Sequence, residues 1–475
     1  MTAQCTCPSA AWTPGCQPKQ AHSPFCQRNS GRESSTVQRP NILYIHSHDT
    51  GRYISPYGHA VPTPNLQRLA EQGAFFRRAY CAAPTCSPSR AALLTGQSPH
   101  SAGMLGLANR GFQLRDFRQH IIHRLKAAGY TSALAGIQHL NPSWRPNAAS
   151  EVGYDRVLTD QHSQAHTAAV DFLRSAPPEP FWLTVGFFET HREFPLENDV
   201  DPAYVLPPTP MPDTPDGRQD MANFIAMAQI LDDKIGQVLR ALDECGLRDN
   251  TLVIYTTDHG LAFPGMKCNL TDHGIGVSLI MQGEGLFAGG RVIDAMVSHI
   301  DIFPTICDLL DIEAPDWLQG TSMLPLLRGE ADSIRAELFA EVSYHAAYEP
   351  KRAVRSERYK YIRRYDQRQG PVLSNIDDGF AKSELLAAGF GERPPAPEQL
   401  YDTLLDPVER NNLVDDAEYA PVLADLRARL DRWMRETDDP LLQGAVPAPP
   451  GSFLNSPDAA SHREPTQPAK AGNTL

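Results

Sequence analysis

The stretch Cys86-Ser87-Pro88-Ser89-Arg90-Ala91-Ala92-Leu93-Leu94-Thr95-Gly96 carries the strongest signal in this sequence. Small and apolar residues follow Arg90, and a glycine closes the run, so the pattern predicts a helix that opens at Cys86. The free backbone N–H groups of a helix start stabilise negative charge. A reactive group at position 86 would benefit from them. The alternative is a buried structural cysteine at a helix start.

On both sides of this stretch, apolar runs typical of buried strands alternate with helical patterns. The strand-like runs are Asn41–Ile45, Tyr130–Ala135, Phe181–Phe188 and Thr251–Tyr255, and the helical patterns are Thr63–Gln72, Phe117–Ala128 and roughly 219–245. This alternation predicts an α/β fold, with a mostly parallel sheet flanked by helices.

The pattern changes near Gly329, which suggests four regions. We predict a disordered N-terminal tail over 1–37, an α/β domain over 38–329, an α+β C-terminal subdomain over 330–444 and a disordered tail over 445–475. In the third region, Leu338–Val342 and Lys351–Arg364 resemble half-exposed strands, and Pro421–Glu436 resembles a helix.

Charge and cysteine content narrow the class of protein. The 475 residues carry a formal net charge of -13, which disfavours nonspecific binding to nucleic acid or to an anionic membrane. No apolar run is long enough to span a bilayer, and the first residues lack the apolar core of a secretory signal, so we expect a cytoplasmic protein. Its nine cysteines then fit free thiols. Four of them, Cys5, Cys7, Cys16 and Cys26, follow no recognised zinc spacing.

Polar residues follow four of the predicted strands at their carboxyl ends. They are His48 with Asp49, His139, Glu189 with His191, and Asp258 with His259. Each pattern alone is weak, because a single histidine after a strand is usually a hydrogen-bonded loop residue. Ligands of open α/β sheets bind at the carboxyl ends of strands, so we expect the four segments to converge. The two His–Asp pairs predict a mixed carboxylate and imidazole metal site.

The stretch Cys86–Gly96 resembles the signature of the sulfatase family, and the order of motifs from Asn41 to about 438 is similar to that family. Within it, Cys86–Gly96, Gly103–Leu107, Thr251–Gly260 and Phe263–Leu270 are most similar to the sulfamidase (heparan N-sulfatase) type. The resemblance implies that a formylglycine-generating enzyme oxidises Cys86 to formylglycine. A hydrated aldehyde offers one hydroxyl to attack sulfur and a second to expel sulfate, whereas serine or cysteine would leave a stable ester.

The resemblance also implies roles for individual residues. Those implied to hold one divalent metal ion with residue 86 are His48, Asp49, Asp258 and His259. Arg90 would stabilise the formylglycine hydrate, and His139 would accept a proton during sulfate release. Those implied to contact substrate are His191, Lys267, Glu189, His345 and Arg352; of these, His191 and Lys267 would bind sulfate oxygens, and His191 could protonate the leaving group.

Three positions depart from the family pattern. The family usually has Asp at position 48, often has Asn at 259 and usually has Lys at 137, where this chain has His48, His259 and Ile137. Imidazole ligands suit manganese or zinc better than calcium. The loss of one lysine favours a substrate with a single negative charge at the reacting centre.

Three functions remain open from the sequence. The favoured one is hydrolysis of a sulfate ester or sulfamate on a small molecule, a sulfated sugar being one candidate. The second is a phosphonate monoester or phosphodiester hydrolase with the same nucleophile. The third is a binding or regulatory protein in which Cys86 stays unmodified, which the joint presence of Cys86, Arg90 and both His–Asp pairs argues against.

Overall fold

The computed structural model describes residues 39–469, so the predictions for the N-terminal tail and its four cysteines lie outside the described residues. Its large sheet has nine strands. In chain order they are β1 (Asn41–Ser47), β2 (Ala74–Tyr80), β3 (Thr131–Gly136), β4 (Arg156–Thr159), β5 (Phe181–Gly186), β6 (Thr251–Thr257), β7 (Gly276–Val277), β8 (Leu279–Gln282) and β9 (Arg291–Ser298).

The centre of the large sheet is parallel. The strand order is β4-β3-β5-β1-β6-β8-β2-β7, with β9 also paired to β2. Strand β1 pairs in parallel with both β5 and β6, and β3 pairs in parallel with β4 and β5. Only β7 and β8 run antiparallel to their neighbours in the described sheet. The prediction of a mostly parallel sheet is confirmed.

Both faces of β1 are buried, which explains its continuous apolar run. Ile42 and Tyr44 pack into one hydrophobic core, while Leu43 and Ile45 pack into a second core on the opposite face. Helices cover both faces. They are α1 (Pro64–Gln72), α2 (Cys86–Thr95), α3 (Pro99–Ala102), α4 (Ile121–Ala127), α5 (Ala148–Val152), α6 (Ala165–Arg174), α7 (Pro215–Glu244), α8 (Asp272–Ile275), α9 (Ile302–Leu309) and α10 (Leu324–Arg328).

A second, antiparallel sheet follows in the chain. Its strands are β10 (Glu337–Tyr344), β11 (Tyr348–Ser356), β12 (Tyr359–Arg364) and β13 (Glu398–Asp402). Helix α12 (Ala420–Glu436) packs on this sheet, whereas α11 (Phe380–Ala387) packs on α7. The segment 351–364, predicted as one half-exposed strand, is a hairpin of β11 and β12. Strand β11 is buried almost throughout, because its cations are ion-paired.

The described residues belong to one compact unit, so the division at 329/330 stays a prediction.

The prediction of a disordered tail from 445 onward is wrong for residues 445–469, here called the C-terminal segment. Val446, Leu454 and Asn455 are buried there, and two short strands, β14 (Phe453–Leu454) and β15 (Gln467–Pro468), pair with each other. Its few apolar side chains and its backbone hydrogen bonds anchor it despite a composition typical of disorder. Within 39–469, no helix combines the length and apolarity that crossing a membrane requires.

Candidate active site

The four predicted polar segments converge at the carboxyl ends of β1, β3, β5 and β6, as expected for a parallel sheet. Ligand atoms of His48, Asp49, Cys86 and Asp258 all lie within 4.8 Å of one another. We call these four residues the reaction cluster. The backbone of Asp49 has a positive φ of 49°, which turns the chain so that adjacent His48 and Asp49 reach the same point.

Asp258 organises the reaction cluster. Its Oδ1 accepts hydrogen bonds from the backbone N–H groups of Asp49 at 2.8 Å and His259 at 2.9 Å. His259 Nε2 lies 3.3 Å from Asp49 Oδ1 and 3.4 Å from Cys86 Sγ. His259 therefore borders the cluster on the side of residue 86, and its role as a metal ligand stays a prediction.

The reaction cluster has the features of a cation site. Both ring nitrogens of His48 and Oδ1 of Asp49 are buried without a hydrogen-bond partner, which is costly unless an additional group binds them. Burial, reinforced by the Arg90 guanidinium, lowers the pKa of His48 well below its usual value. The imidazole is therefore neutral, the form that binds metals. Two carboxylates and an imidazole suit a divalent transition metal.

Arg90 is buried and held from three sides. Its Nη2 donates to Asp258 Oδ2 at 2.9 Å and to the Ser47 carbonyl at 3.0 Å, while Nη1 contacts His46 Nδ1. We assigned His46 no role from the sequence. It lies in β1, two residues before His48, and that spacing was the available signal.

Cys86 opens helix α2, as predicted, and its side chain is buried. Burial raises the pKa of the Cys86 thiol well above its usual value, although the Lys267 ammonium opposes this shift. An unmodified Cys86 is thus a neutral thiol and a poor nucleophile. Its position beside the cation-type ligands favours a role that needs a modified side chain.

Two further histidines line the same space. The rings of His139 and His191 lie 5.4 Å and 5.8 Å from the His48 ring, measured between centroids. Burial, with help from Arg90, lowers the pKa of His139 to about 3, so its ring is neutral at physiological pH. Its Nδ1 is buried without a partner. His191 packs against Phe188, with ring centroids 4.7 Å apart, and is only partly buried.

Lys267 reaches the site, as predicted, but between two carboxylates. Its Nζ donates to Asp49 Oδ2 at 2.9 Å and lies 3.1 Å from Asp377 Oδ2. Burial alone would raise the pKa of Asp377, but the Lys267 ammonium holds it below its usual range. Sequence reasoning missed Asp377. The only available signal was the polar stretch Asn375–Gly379, which has no catalytic spacing.

Not all the residues predicted to contact substrate lie free at the site. His345 lies near Lys267. Burial and the Lys267 ammonium together lower the pKa of the His345 ring. Glu189 lies beside His48, whose backbone N–H donates to its carbonyl at 2.9 Å, but its carboxylate is paired with Lys234. The position of Arg352 contradicts the prediction that it contacts substrate. It is fully buried, and Asp439 binds its guanidinium through two hydrogen bonds of 2.6 Å and 3.0 Å.

The fold and the site are those of an α/β protein with a candidate metal centre at the carboxyl edge of its parallel sheet. The chain belongs to the sulfatase family, whose sequence profile, described as "Sulfatase", matches residues 40–312. A second profile, "N-sulphoglucosamine sulphohydrolase, C-terminal", matches residues 266–378. The protein is therefore a hydrolase of sulfate esters or sulfamates, and this family generally uses a metal ion and formylglycine.

Individual relatives agree with this assignment. Human N-sulphoglucosamine sulphohydrolase is 29% identical, over 84% of this chain and 91% of its own length. A delta 4,5-hexuronate-2-O-sulfatase from Bacteroides thetaiotaomicron is 25% identical, over 92% of this chain and 97% of its own. The crystal structure of a putative sulfatase from the same bacterium shares the fold, with a TM-score of 0.67 and 23% identity, over 90% of this chain and 100% of that one.

Proposed function

We propose that this sulfatase removes a sulfate group from a small sulfated sugar, using formylglycine at position 86 and one divalent metal ion. The observation that carries the proposal is the reaction cluster. It places Cys86, at a helix start, among three buried metal-type ligands whose polar atoms are not all satisfied.

The metal would be held by His48, Asp49 and Asp258 together with residue 86, with His259 at its border. When bound, such an ion supplies Lewis-acid stabilisation of negative charge on oxygen. The nitrogen of His48 favours manganese or zinc over calcium. Arg90, fixed by Asp258 and His46, places a permanent positive charge at the start of α2.

Proton transfer is assigned to the two partly satisfied histidines. His139 is neutral and has a free Nδ1, so it can accept a proton from a hydroxyl at position 86 during sulfate release. His191 is closer to solvent, which suits donation of a proton to the departing sugar oxygen or nitrogen. Lys267 binds a sulfate oxygen while its charge is shared with Asp49 and Asp377.

The charge balance favours a singly charged reacting group. In the described part of the chain, Arg90 and Lys267 are the arginine and lysine side chains that form ion pairs with the reaction cluster, and Asp258, Asp49 and Asp377 offset them. Position 137 supplies no cation because it is isoleucine. A phosphate monoester, with a second charge near neutral pH, would need more compensation than this pocket supplies.

Relatives of this chain support a sulfated sugar as the substrate. The profile over residues 266–378 is that of the N-sulphoglucosamine sulphohydrolase C-terminal region. The structure of an enzyme in complex with its substrate D-glucosamine-2-N,6-O-disulfate shares this fold with a TM-score of 0.64. We therefore favour an N-sulfated or O-sulfated amino sugar. A formylglycine-generating enzyme as partner and a cytoplasmic location remain predictions.

One observation supports a second candidate. His259 Nε2 lies 3.4 Å from Cys86 Sγ, and a histidine at this position fits phosphonate monoester hydrolases of the same superfamily as well. The test is to compare kcat/KM for matched aryl sulfate, aryl phosphonate monoester, phosphodiester and phosphate monoester substrates, with N-sulfoglucosamine. We expect sulfate or sulfamate to dominate. Dominant phosphonate turnover would support the second candidate, and dominant phosphate monoester turnover would refute the charge argument.

A further inference from the structure

A short turn beside Cys86 carries an arginine that the proposed reaction does not use. Residues Ala108–Arg110 form a single 3-10 turn. The backbone N–H of Ala108 donates to Ser87 Oγ at 2.9 Å, and Ser87 directly follows Cys86. The turn is therefore tied to the start of α2, and Arg110 lies two residues beyond the tie.

Among the described residues, only backbone carbonyls hold the Arg110 guanidinium. Its Nη1 donates to the Ala346 carbonyl at 3.3 Å and to the Phe453 carbonyl at 3.2 Å. Ala346 follows His345, which lies near Lys267, and Phe453 belongs to the C-terminal segment. Burial and the Lys267 ammonium lower the pKa of His345, Asp377 opposes them, and the Arg110 guanidinium lowers it further, so Arg110 lies close to the His345 ring.

The missing partner of Arg110 distinguishes it from the other arginines near the site. Arg90 is paired with Asp258, and Arg192 is paired with Asp220. No carboxylate among residues 39–469 lies within ion-pair distance of Arg110, although it is half-buried. Burial accordingly lowers its pKa, with no anion to oppose the shift. A partly desolvated, unpaired guanidinium costs free energy that an anionic ligand would recover.

We propose that Arg110 is a specificity-determining residue that binds a second anionic group of the substrate. This inference rests on the proposed function, because it presumes that the sulfate to be cleaved occupies the reaction cluster. The second group is an oxyanion on the same or the adjoining sugar ring, either a further sulfate or a carboxylate. The planar guanidinium suits both through paired hydrogen bonds.

The C-terminal segment takes part in this subsite. The Phe453 carbonyl orients Arg110, and the Asn455 N–H donates to the Ala346 carbonyl at 2.9 Å. Gly111 lies against Ser452, where a Cβ atom would approach the Ser452 Cα to 3.0 Å, so the turn and the segment are closely packed. The part of the chain that composition alone predicts to be disordered thus positions a substrate-binding side chain.

The test compares Arg110→Gln with the unaltered enzyme on three sugars: N-sulfoglucosamine, glucosamine N,6-disulfate, and N-sulfoglucosamine linked to a uronic acid. We expect kcat/KM for one or both doubly anionic sugars to fall about 10- to 100-fold, mainly through KM, because the contact is remote from the reacting atoms. The value for N-sulfoglucosamine should change less than about twofold. Whichever sugar loses more identifies the second group as sulfate or carboxylate.

Arg115→Gln is the matched control, since Arg115 is an exposed arginine on the same loop that donates to the His100 carbonyl. It should leave all three values unchanged. Arg110→Lys should recover part of the loss, which a purely structural role would not predict. Equal losses on all three sugars, or no loss on either doubly anionic sugar, would overturn the proposal. If the unaltered enzyme cleaves none of the sugars but cleaves an aryl phosphonate, the proposed function fails instead.

Discussion

Within residues 39–469, two buried clusters bring a histidine and carboxylates within metal-binding distance. One is the reaction cluster, and the other consists of His100, Glu341 and Asp439. With Arg352 added, we call the second one the Glu341 cluster. The two clusters are alike in residue type and burial, so neither property explains why only one of them suits catalysis.

The difference lies in how completely the polar atoms are paired. In the Glu341 cluster, Glu341 accepts from the His100 backbone N–H and contacts its ring, while Arg352 donates two hydrogen bonds to Asp439. No buried side-chain nitrogen or oxygen of these four residues lacks a hydrogen-bond partner, whereas both ring nitrogens of His48 and Oδ1 of Asp49 do. A cluster that satisfies itself stabilises the fold, and a cluster with unsatisfied atoms is prepared for a ligand.

The largest effect is expected from a substitution at residue 86, which should abolish turnover without unfolding the protein. Cys86→Ala should lower kcat by about 10⁴-fold or more, because it removes the nucleophile. Its circular dichroism spectrum should remain that of the unaltered protein. Cys81→Ala is the matched control, since Cys81 is equally buried and lies outside the reaction cluster. Wild-type turnover by Cys86→Ala would refute the assignment.

Metal removal should affect only one of the clusters. A chelator should reduce activity about 10³-fold, because the ion contributes several kcal/mol to charge stabilisation. Manganese or zinc should restore activity better than calcium. Metal analysis should give one ion per chain, lost in His48→Ala and kept in His100→Ala. Best recovery with calcium, or loss of the ion in His100→Ala, would contradict the comparison.

The Glu341 cluster should show the opposite behaviour. Arg352→Met leaves Glu341 and Asp439 buried without their cation, which should reduce the free energy of unfolding by about 3–5 kcal/mol. The kcat/KM of the folded fraction should stay within about twofold. Urea unfolding measures the free energy of unfolding, and initial rates measure kcat/KM. Lost activity at unchanged stability would restore Arg352 as a substrate-binding residue.

A smaller effect concerns pH. The pKa of His139 is about 3 in the folded protein, mainly through burial, against an ordinary value of 6.5. As pH falls below 6.5, this histidine binds a proton in the unfolded chain but not in the folded protein, so its contribution to stability declines by about 1.4 kcal/mol per pH unit until about pH 3. In metal-free protein, His139→Gln should flatten this decline. Parallel stability curves from pH 7 to 5 would contradict it.

The fold and the centre of the site could be predicted because they depend on local patterns. The apolar run of β1 and the polar residues after β1 and β6 are continuous in sequence. The ion pairs between residues distant in sequence could not be predicted in the same way. Asp377 is 110 positions from Lys267, and Asp439 is 87 positions from Arg352, so nothing local indicates either pair.

The same reasoning explains the error over the C-terminal segment. Its proline, alanine and serine content indicates disorder, yet a few apolar residues and hydrogen bonds to the 345–347 loop anchor it. Those contacts exist only once the second sheet has folded. Composition describes what a segment does alone, whereas its order here depends on its neighbours.

The central claim is that residue 86 is a formylglycine within a cation-binding cluster. Mass spectrometry of the proteolytic peptide that contains Cys86 tests it most directly, on protein produced together with a formylglycine-generating enzyme. We predict that the side chain at position 86 has lost its sulfur and two hydrogens and gained one oxygen, with Cys81 unchanged in the same sample. An intact thiol at position 86 in fully active protein would contradict the account.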